Sequence, residues 1–240
     1  MFRLGIKSFR QKRLHVRIRA RAVELEYNPE KINPIYDGVV DWDGYLKAPL
    51  KVCWVLKEPY DDKDEQGAPA GGGWTMFKDF AKEGRLAETV NANPALRNVA
   101  RVSWALLSGV SRHTDIPEIP DKPEVAECLL RVCYLNTGKM PAATTTSREQ
   151  LQKIHGEWRD IVLDQVKLAD PDLLIFGGTL DVWAADFGID LAHPLAHGRS
   201  DGTVVDVHSW RGKRVLYADH PAARTSREEW IDAILAAARL

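Results

Sequence analysis

Residues 52–56 read Val-Cys-Trp-Val-Leu, an apolar run of strand length with no polar alternation. That run constrains the fold more than any other segment. A strand apolar on both faces is covered on both faces, which is the pattern of a parallel sheet between helical layers. The pattern predicts a strand over 50–56, a second over 132–135 and a third over 173–176. A hairpin is expected from 204–207 and 213–218 across Trp210-Arg211-Gly212. Helical periodicity falls between them. Residues 94–110 place Leu96, Val99, Ala100, Ser103 and Leu107 on one face, and residues 124–131 form a shorter helix. The clearest helix is 147–168, opened by a possible Ser147/Gln150 capping box. A further helix starts near Trp74 and runs through Phe77 and Phe80, and another closes the chain over 226–240. Strands alternating with helices predict a three-layer α/β/α sandwich around a central, mostly parallel sheet.

Three of these strands end at residues able to do chemistry. Val52–Leu56 leads to Lys57-Glu58-Pro59-Tyr60. The second strand ends at Asn136, and the run to Ala218 ends at Asp219-His220-Pro221. In open α/β sheets ligands bind beyond the carboxyl ends of the strands, so Glu58 and His220 are a candidate acid/base pair across one cleft. Glu58 could orient water or stabilise a developing cation; equally it could cap its loop or pair with Lys57. Asn136 carries donor and acceptor together, which suits the edge of a nucleobase, although Asn is also common in turns. His220 could donate a hydrogen bond to an anionic leaving group, its tautomer fixed by a backbone partner, or be a plain loop residue. Tyr60 could cover a flat ligand. Trp74 and Phe77, after the loop 60–73 with its Gly71-Gly72-Gly73, could stack on a base, or pack in the core.

Other signals are weaker. Gly138-Lys139 invites a phosphate reading but lacks the upstream Gly and following Ser/Thr of a P-loop. The Gly177-Gly178-Thr179 turn could hold phosphate in a nucleotide-binding enzyme or belong to an α/β hydrolase of another class. Pro194 keeps His193 and His197 off one regular helix, so with His208 they make a poor metal site, and no metal is expected. Three Cys in a 240-residue chain, set in apolar runs, suggest buried thiols in a reducing compartment. No apolar run reaches membrane-span length, and no secretory signal is seen, so a cytoplasmic protein is expected. The net charge of −1 conceals eight Lys or Arg and no acid in residues 1–23, which leaves −9 for the remainder. Residues 1–27 therefore read as a basic helical extension that either grips a polyanion or is simply solvated, with a single domain over 28–240.

Together the strand ends resemble the uracil-DNA glycosylase superfamily. Its uracil-excising members carry a strand followed by Gly-Gln-Asp-Pro-Tyr, where this chain has Leu56-Lys57-Glu58-Pro59-Tyr60. A second strand ends in Leu-Leu-Asn, matched by Tyr134-Leu135-Asn136. The last motif, His-Pro-Ser-Pro-Leu, is matched in part by His220-Pro221-Ala222-Ala223-Arg224. The motifs occur in family order and span roughly residue 50 to the C-terminus. Glu58 replaces the family Asp, Lys57 the Gln, and Arg224 stands where a Leu wedges into the duplex. The four-Cys pattern of the iron–sulfur branch is missing.

The resemblance implies a DNA N-glycosylase that needs no cofactor. DNA is bound and one nucleotide is flipped into the cleft. Tyr60, Trp74 and Phe77 are the implied base-stacking group, Asn136 the reader of the base edge, and Glu58 and His220 the catalytic pair. Lys57, Lys139 and Arg224 are the implied DNA contacts, with Arg224 filling the vacated base position. Some bacterial members of the superfamily act in phage defence and remove hypermodified pyrimidines such as glucosylated hydroxymethylcytosine. The departures fit such a target, with uracil repair and a non-catalytic DNA-binding member as the alternatives. The expected partner is DNA carrying a modified base, and the expected state is a monomer.

Overall fold

A computed structural model describes residues 2–59, 61–142, 145–223 and 226–240. The helices in chain order are α1 Phe2–Glu24, α2 Trp42–Lys47, α3 Lys78–Lys82, α4 Leu86–Ala92, α5 Pro94–Ser108, α6 Glu124–Glu127, α7 Arg148–Ala169, α8 Leu180–Phe187 and α9 Arg227–Ala237. The strands are β1 Gly38–Val39, β2 Val52–Leu56, β3 Cys133–Asn136, β4 Leu173–Gly177, β5 Ala196–Ser200, β6 Thr203–Trp210 and β7 Lys213–Ala218. They form one sheet in the order β1-β3-β2-β4-β7-β6-β5. The four central strands, β3, β2, β4 and β7, are mutually parallel. The three outer strands pair antiparallel. The sheet is thus parallel at its centre and mixed at its margins.

The alternating geometry of a strand explains why the central runs are apolar throughout. Val52, Trp54 and Leu56 point to one face and Cys53 and Val55 to the other, and both faces are buried. Leu173 and Ile175 against Leu174 and Phe176 repeat the split on β4. Helices α4, α5, α6 and α9 cover the first face. Helices α1, α2, α7 and α8 cover the second. Cys53, Cys128 and Cys133 are buried free thiols, as the apolar runs around them suggested.

Local signals set the helix ends. Asn93 accepts hydrogen bonds from the N–H groups of Ala95 and Leu96, with Pro94 in the first turn, and Gly109 ends α5 at φ 72°. The Ser147/Gln150 capping box opens α7 with both of its hydrogen bonds made.

Two expectations need correction. The basic segment 1–27 is not an appendage. Leu14, Ile18 and Ala22, spaced by four, are buried against the same core as α7. Arg17 pairs with Asp160 and Asp164, Arg21 bonds Asp160 and the carbonyl of Glu157, and Lys7 donates to the carbonyl of Leu168. Burying Leu14 and Ile18 alone is worth about 1.5–3 kcal/mol each. Secondly, no helix starts at Trp74. Residues 74–76 instead run beside Tyr36, with Tyr36 N–H donating to Trp74 O and Met76 N–H to Tyr36 O. Phe77 turns the chain at φ 58° before α3 begins. The short elements β1, α2 and β5, together with α4 and α8, had no distinct sequence signal of their own.

Candidate active site

The register of the parallel strands brings the strand-end residues to one edge. Leu56 pairs with Asn136, so Glu58 emerges two residues beyond the position that bears Asn136. Gly177 pairs with Ala218, so His220 leaves the same edge two strands away, about 10 Å across at ordinary strand spacing. Three glycines make this crowding feasible. A Cβ on Gly138 would lie 3.2 Å from Glu58 Cβ and 2.8 Å from Ile154. A Cβ on Gly178, at φ +70°, would lie 3.2 Å from His220 N, and one on Gly177 would meet Pro221 at 3.0 Å. The Gly177-Gly178 turn is therefore the seat of the His220-Pro221 loop. Asn98 of α5 fixes that loop from the other side by donating to Pro221 O at 2.7 Å.

Glu58, Asn136 and His220 line one cavity of about 620 Å³. Burial pushes the Glu58 carboxyl above its ordinary value. The hydrogen bond from Thr146 Oγ1 to Glu58 Oε1 and the charge of Lys57 pull it back. The second oxygen, Oε2, is buried and has no partner. His220 is held neutral: burial, and then the charge of Lys57, lower it to about 4. Its Nδ1 accepts from Ala222 N–H at 3.2 Å, which leaves the ring proton on Nε2. Asn136 is 2 % exposed, and its Nδ2 is buried without a partner. Glu58, Asn136 and His220 thus line one space, and the carboxyl Oε2 and amide Nδ2 are buried with bonding capacity unspent.

The aromatic wall differs from expectation. Trp74 lines the cavity, with its Nε1–H donating to Asp61 Oδ2 at 2.8 Å and its ring tilted against Phe80. Asp61 also accepts from Gly72 N–H, closing the Gly-rich loop beneath the indole. A side chain on Gly72 would collide with Asn33 O at 1.9 Å. Phe77 is fully buried and meets Tyr134 edge-on, so it is a core residue and not a stacking surface. Phe80 and Tyr134 line the cavity in its place.

The cations also separate. Lys57 is at the cavity. Lys139 is fully buried, its Nζ 2.9 and 2.8 Å from the two oxygens of Asp37 and 2.6 Å from Asn136 O, so it has no access to DNA. Tyr60 and Arg224 lie outside the described residues. Of the remaining histidines, His193 bonds Asp190 and His197 bonds Asp206. Among the described residues no group of three or more His, Cys, Asp or Glu is placed to hold a metal ion. No helix among them is long and apolar enough to cross a membrane.

Sequence reasoning missed Thr146, Asp61, Asn98 and Asp37. Thr146 lay in a segment noted only as polar, and Asp37 sits in an otherwise ordinary loop. Asn98 faces the His220 loop from a helix whose other positions read as core. Only the spacing of Asp61 from the Gly-rich run offered a local signal.

No family model matches the sequence. A stretch of 155 residues, 64% of this chain, is 24% identical to "Catalase-peroxidase 2" of Shewanella frigidimarina (strain NCIMB 400). That stretch covers 19% of the relative, so the chain spans about a fifth of the length of the curated protein it matches.

Proposed function

We propose that this chain is a DNA N-glycosylase of the uracil-DNA glycosylase superfamily, acting on a modified pyrimidine. The observation that carries the reading is the convergence of Glu58, Asn136 and His220 on one cavity, with Glu58 Oε2 and Asn136 Nδ2 buried without partners. An unpartnered amide donor suits a carbonyl oxygen or ring nitrogen of a flipped pyrimidine. In the proposed reaction the C1′–N bond breaks and its electron pair leaves with the base. The Glu58 carboxylate stabilises the cationic sugar and orients a water toward C1′. His220, neutral with its proton on Nε2, donates a hydrogen bond to the departing anion. Asn136 holds the base edge while Trp74 offers a flat face. The product is an abasic site.

Two features favour a bulky target over uracil. The cavity is large for one base, sitting mid-range among pockets of about 300–1,000 Å³ that hold drug-sized ligands. Asp61, Asp62, Thr89 and Asn93 line it too, and such side chains suit a hydroxyl-rich substituent such as a hexose on hydroxymethylcytosine. The test is to incubate the protein with uracil-containing DNA and with glucosylated phage DNA, then cleave abasic sites with alkali. Strand breaks in the glucosylated DNA that vanish with Glu58→Gln are expected. Breaks only in uracil DNA would reassign the target, and breaks in neither would leave a non-catalytic binding protein.

A further inference from the structure

The best-satisfied polar group in the described interior lies directly behind Asn136. The Asp37 carboxylate, in a residue 2 % exposed, accepts four hydrogen bonds from three donors. Its Oδ2 takes the backbone N–H of Asn136 at 2.6 Å. Both oxygens take Lys139 Nζ, and Oδ1 takes Gln165 Nε2 at 2.8 Å. Lys139 in turn donates to Asn136 O at 2.6 Å. Both main-chain polar groups of Asn136 are thus gripped by one buried ion pair, one by each partner. The pair is itself braced. Gln11 bonds the N–H and C=O of Val39, and His15 meets Asp37 O at 3.1 Å, which fixes the strand after Asp37 to α1.

Burying two opposite charges is costly, and apolar residues of similar volume generally serve stability as well or better. A pair whose two partners each bond the main chain of the same neighbouring residue serves that residue's placement. With its main chain clamped, Asn136 launches its side chain from one fixed Cα–Cβ direction, which narrows where the amide can point.

We propose that Asp37 and Lys139 are positioning residues that set the aim of the Asn136 amide, and with it the selectivity for the base edge. This rests on the glycosylase reading for its consequence, though not for its geometry. The test uses Lys139→Met and the milder Gln165→Leu, which leaves the ion pair in place. Two readouts are needed. The first is the ratio of kcat/KM for two substrates whose bases differ at the edge facing Asn136, measured well below each variant's melting temperature. A purely structural role reduces both rates by one factor and leaves the ratio alone. Loss of aim changes the ratio by about tenfold or more for Lys139→Met, the weight of one hydrogen bond in the transition state. An unchanged ratio overturns the proposal.

The second readout is the Asn136 side-chain amide resonance in protein labelled with 15N-asparagine, which needs no substrate. It should move in Lys139→Met and, by less, in Gln165→Leu. If wild-type protein cuts no DNA, the glycosylase reading fails, and the resonance alone decides on positioning: an unmoved Asn136 amide overturns it. If Lys139→Met does not fold, Gln165→Leu carries both measurements.

Discussion

Replacing Thr146 with Val separates the charge state of Glu58 from everything else at the cavity. The Thr146 hydroxyl donates to Glu58 Oε1, and a donor to a carboxylate favours its ionised form. Val keeps the shape and removes the donor. Hydrogen bonds to charged groups contribute about 1.5–3 kcal/mol, and 1.36 kcal/mol moves a pKa by one unit. Glu58 is partly open to solvent, so the lower end applies, and its pKa should rise further in the variant. Burial already holds it above the usual carboxylate range, so the variant carries it further up. The proposed reaction needs Glu58 ionised and His220 neutral. His220 sits at about 4, so as pH falls from neutrality Glu58 is the first of the two to protonate. The acid limb of kcat/KM against pH should therefore move to higher pH in Thr146→Val, with activity at a pH on that limb falling by about tenfold. The plateau near pH 8 should change little. The 13C-carboxyl titration of Glu58 in glutamate-labelled protein checks the same shift without substrate. A limb that stays in place while the carboxyl titration moves refutes Glu58 as the group whose ionisation the reaction needs. A carboxyl titration that stays in place refutes the hydrogen bond's role.

Three further outcomes are expected. His220 has a folded pKa below its unfolded value of 6.5, so between about pH 6.5 and 4 the unfolded chain binds a proton that the native state does not. Stability should be full above that window and fall through it, and His220→Gln should flatten the fall, as read by urea midpoints at pH 4.5 and 7.5. Removing one half of the buried ion pair, Asp37→Asn or Lys139→Met, should cost about 3–5 kcal/mol. The double variant Asp37→Leu/Lys139→Met should recover most of that; denaturant unfolding that finds a single-variant cost under about 1 kcal/mol contradicts the assignment. Arg10 and Arg13 line a cleft with Asp164 and Lys167, and Asp164 lies 16 residues along α7 from Arg148, about 24 Å of helix away from the end next to Thr146 and the cavity. Neutralising both to Gln should leave the salt dependence of binding to a short duplex unchanged. A slope smaller by about 0.9 per cation removed would place DNA on α1 instead.

The central sheet was legible because burial on both faces writes itself as unbroken apolar runs, and Val52–Leu56 and Leu173–Phe176 could be nothing else. The ends of those runs also pointed to the cavity, since Glu58, Asn136 and His220 follow them directly. What stayed hidden depends on contacts between distant segments. Phe77 and Phe80 have the same chemistry and lie one helical turn apart in sequence; only the left-handed turn at Phe77 decides which is buried. Lys139 looks like a surface cation until Asp37, 102 residues earlier, is placed beside it. The eight cations of residues 1–23 read as a free arm because the acids that pair with Arg17 and Arg21, Asp160 and Asp164, sit on another helix. Pairing across such separations leaves no periodicity to detect.

That last pairing bears on how the chain comes to be folded. Helix α1 precedes the other elements of this fold in the chain, and beside its near partners Val39 and Asp37 it has distant ones: Arg17 waits for Asp164, 147 positions on, and Lys7 for Leu168, 161 positions on. At about 5–20 residues per second, α7 follows roughly 7–30 s later. Until then Leu14, Ile18 and Ala22 lack the α7 side of their core, and α1 is held only by the nearer segments. Its row of like charges gives the nascent segment a means of staying apart from its own kind during that interval.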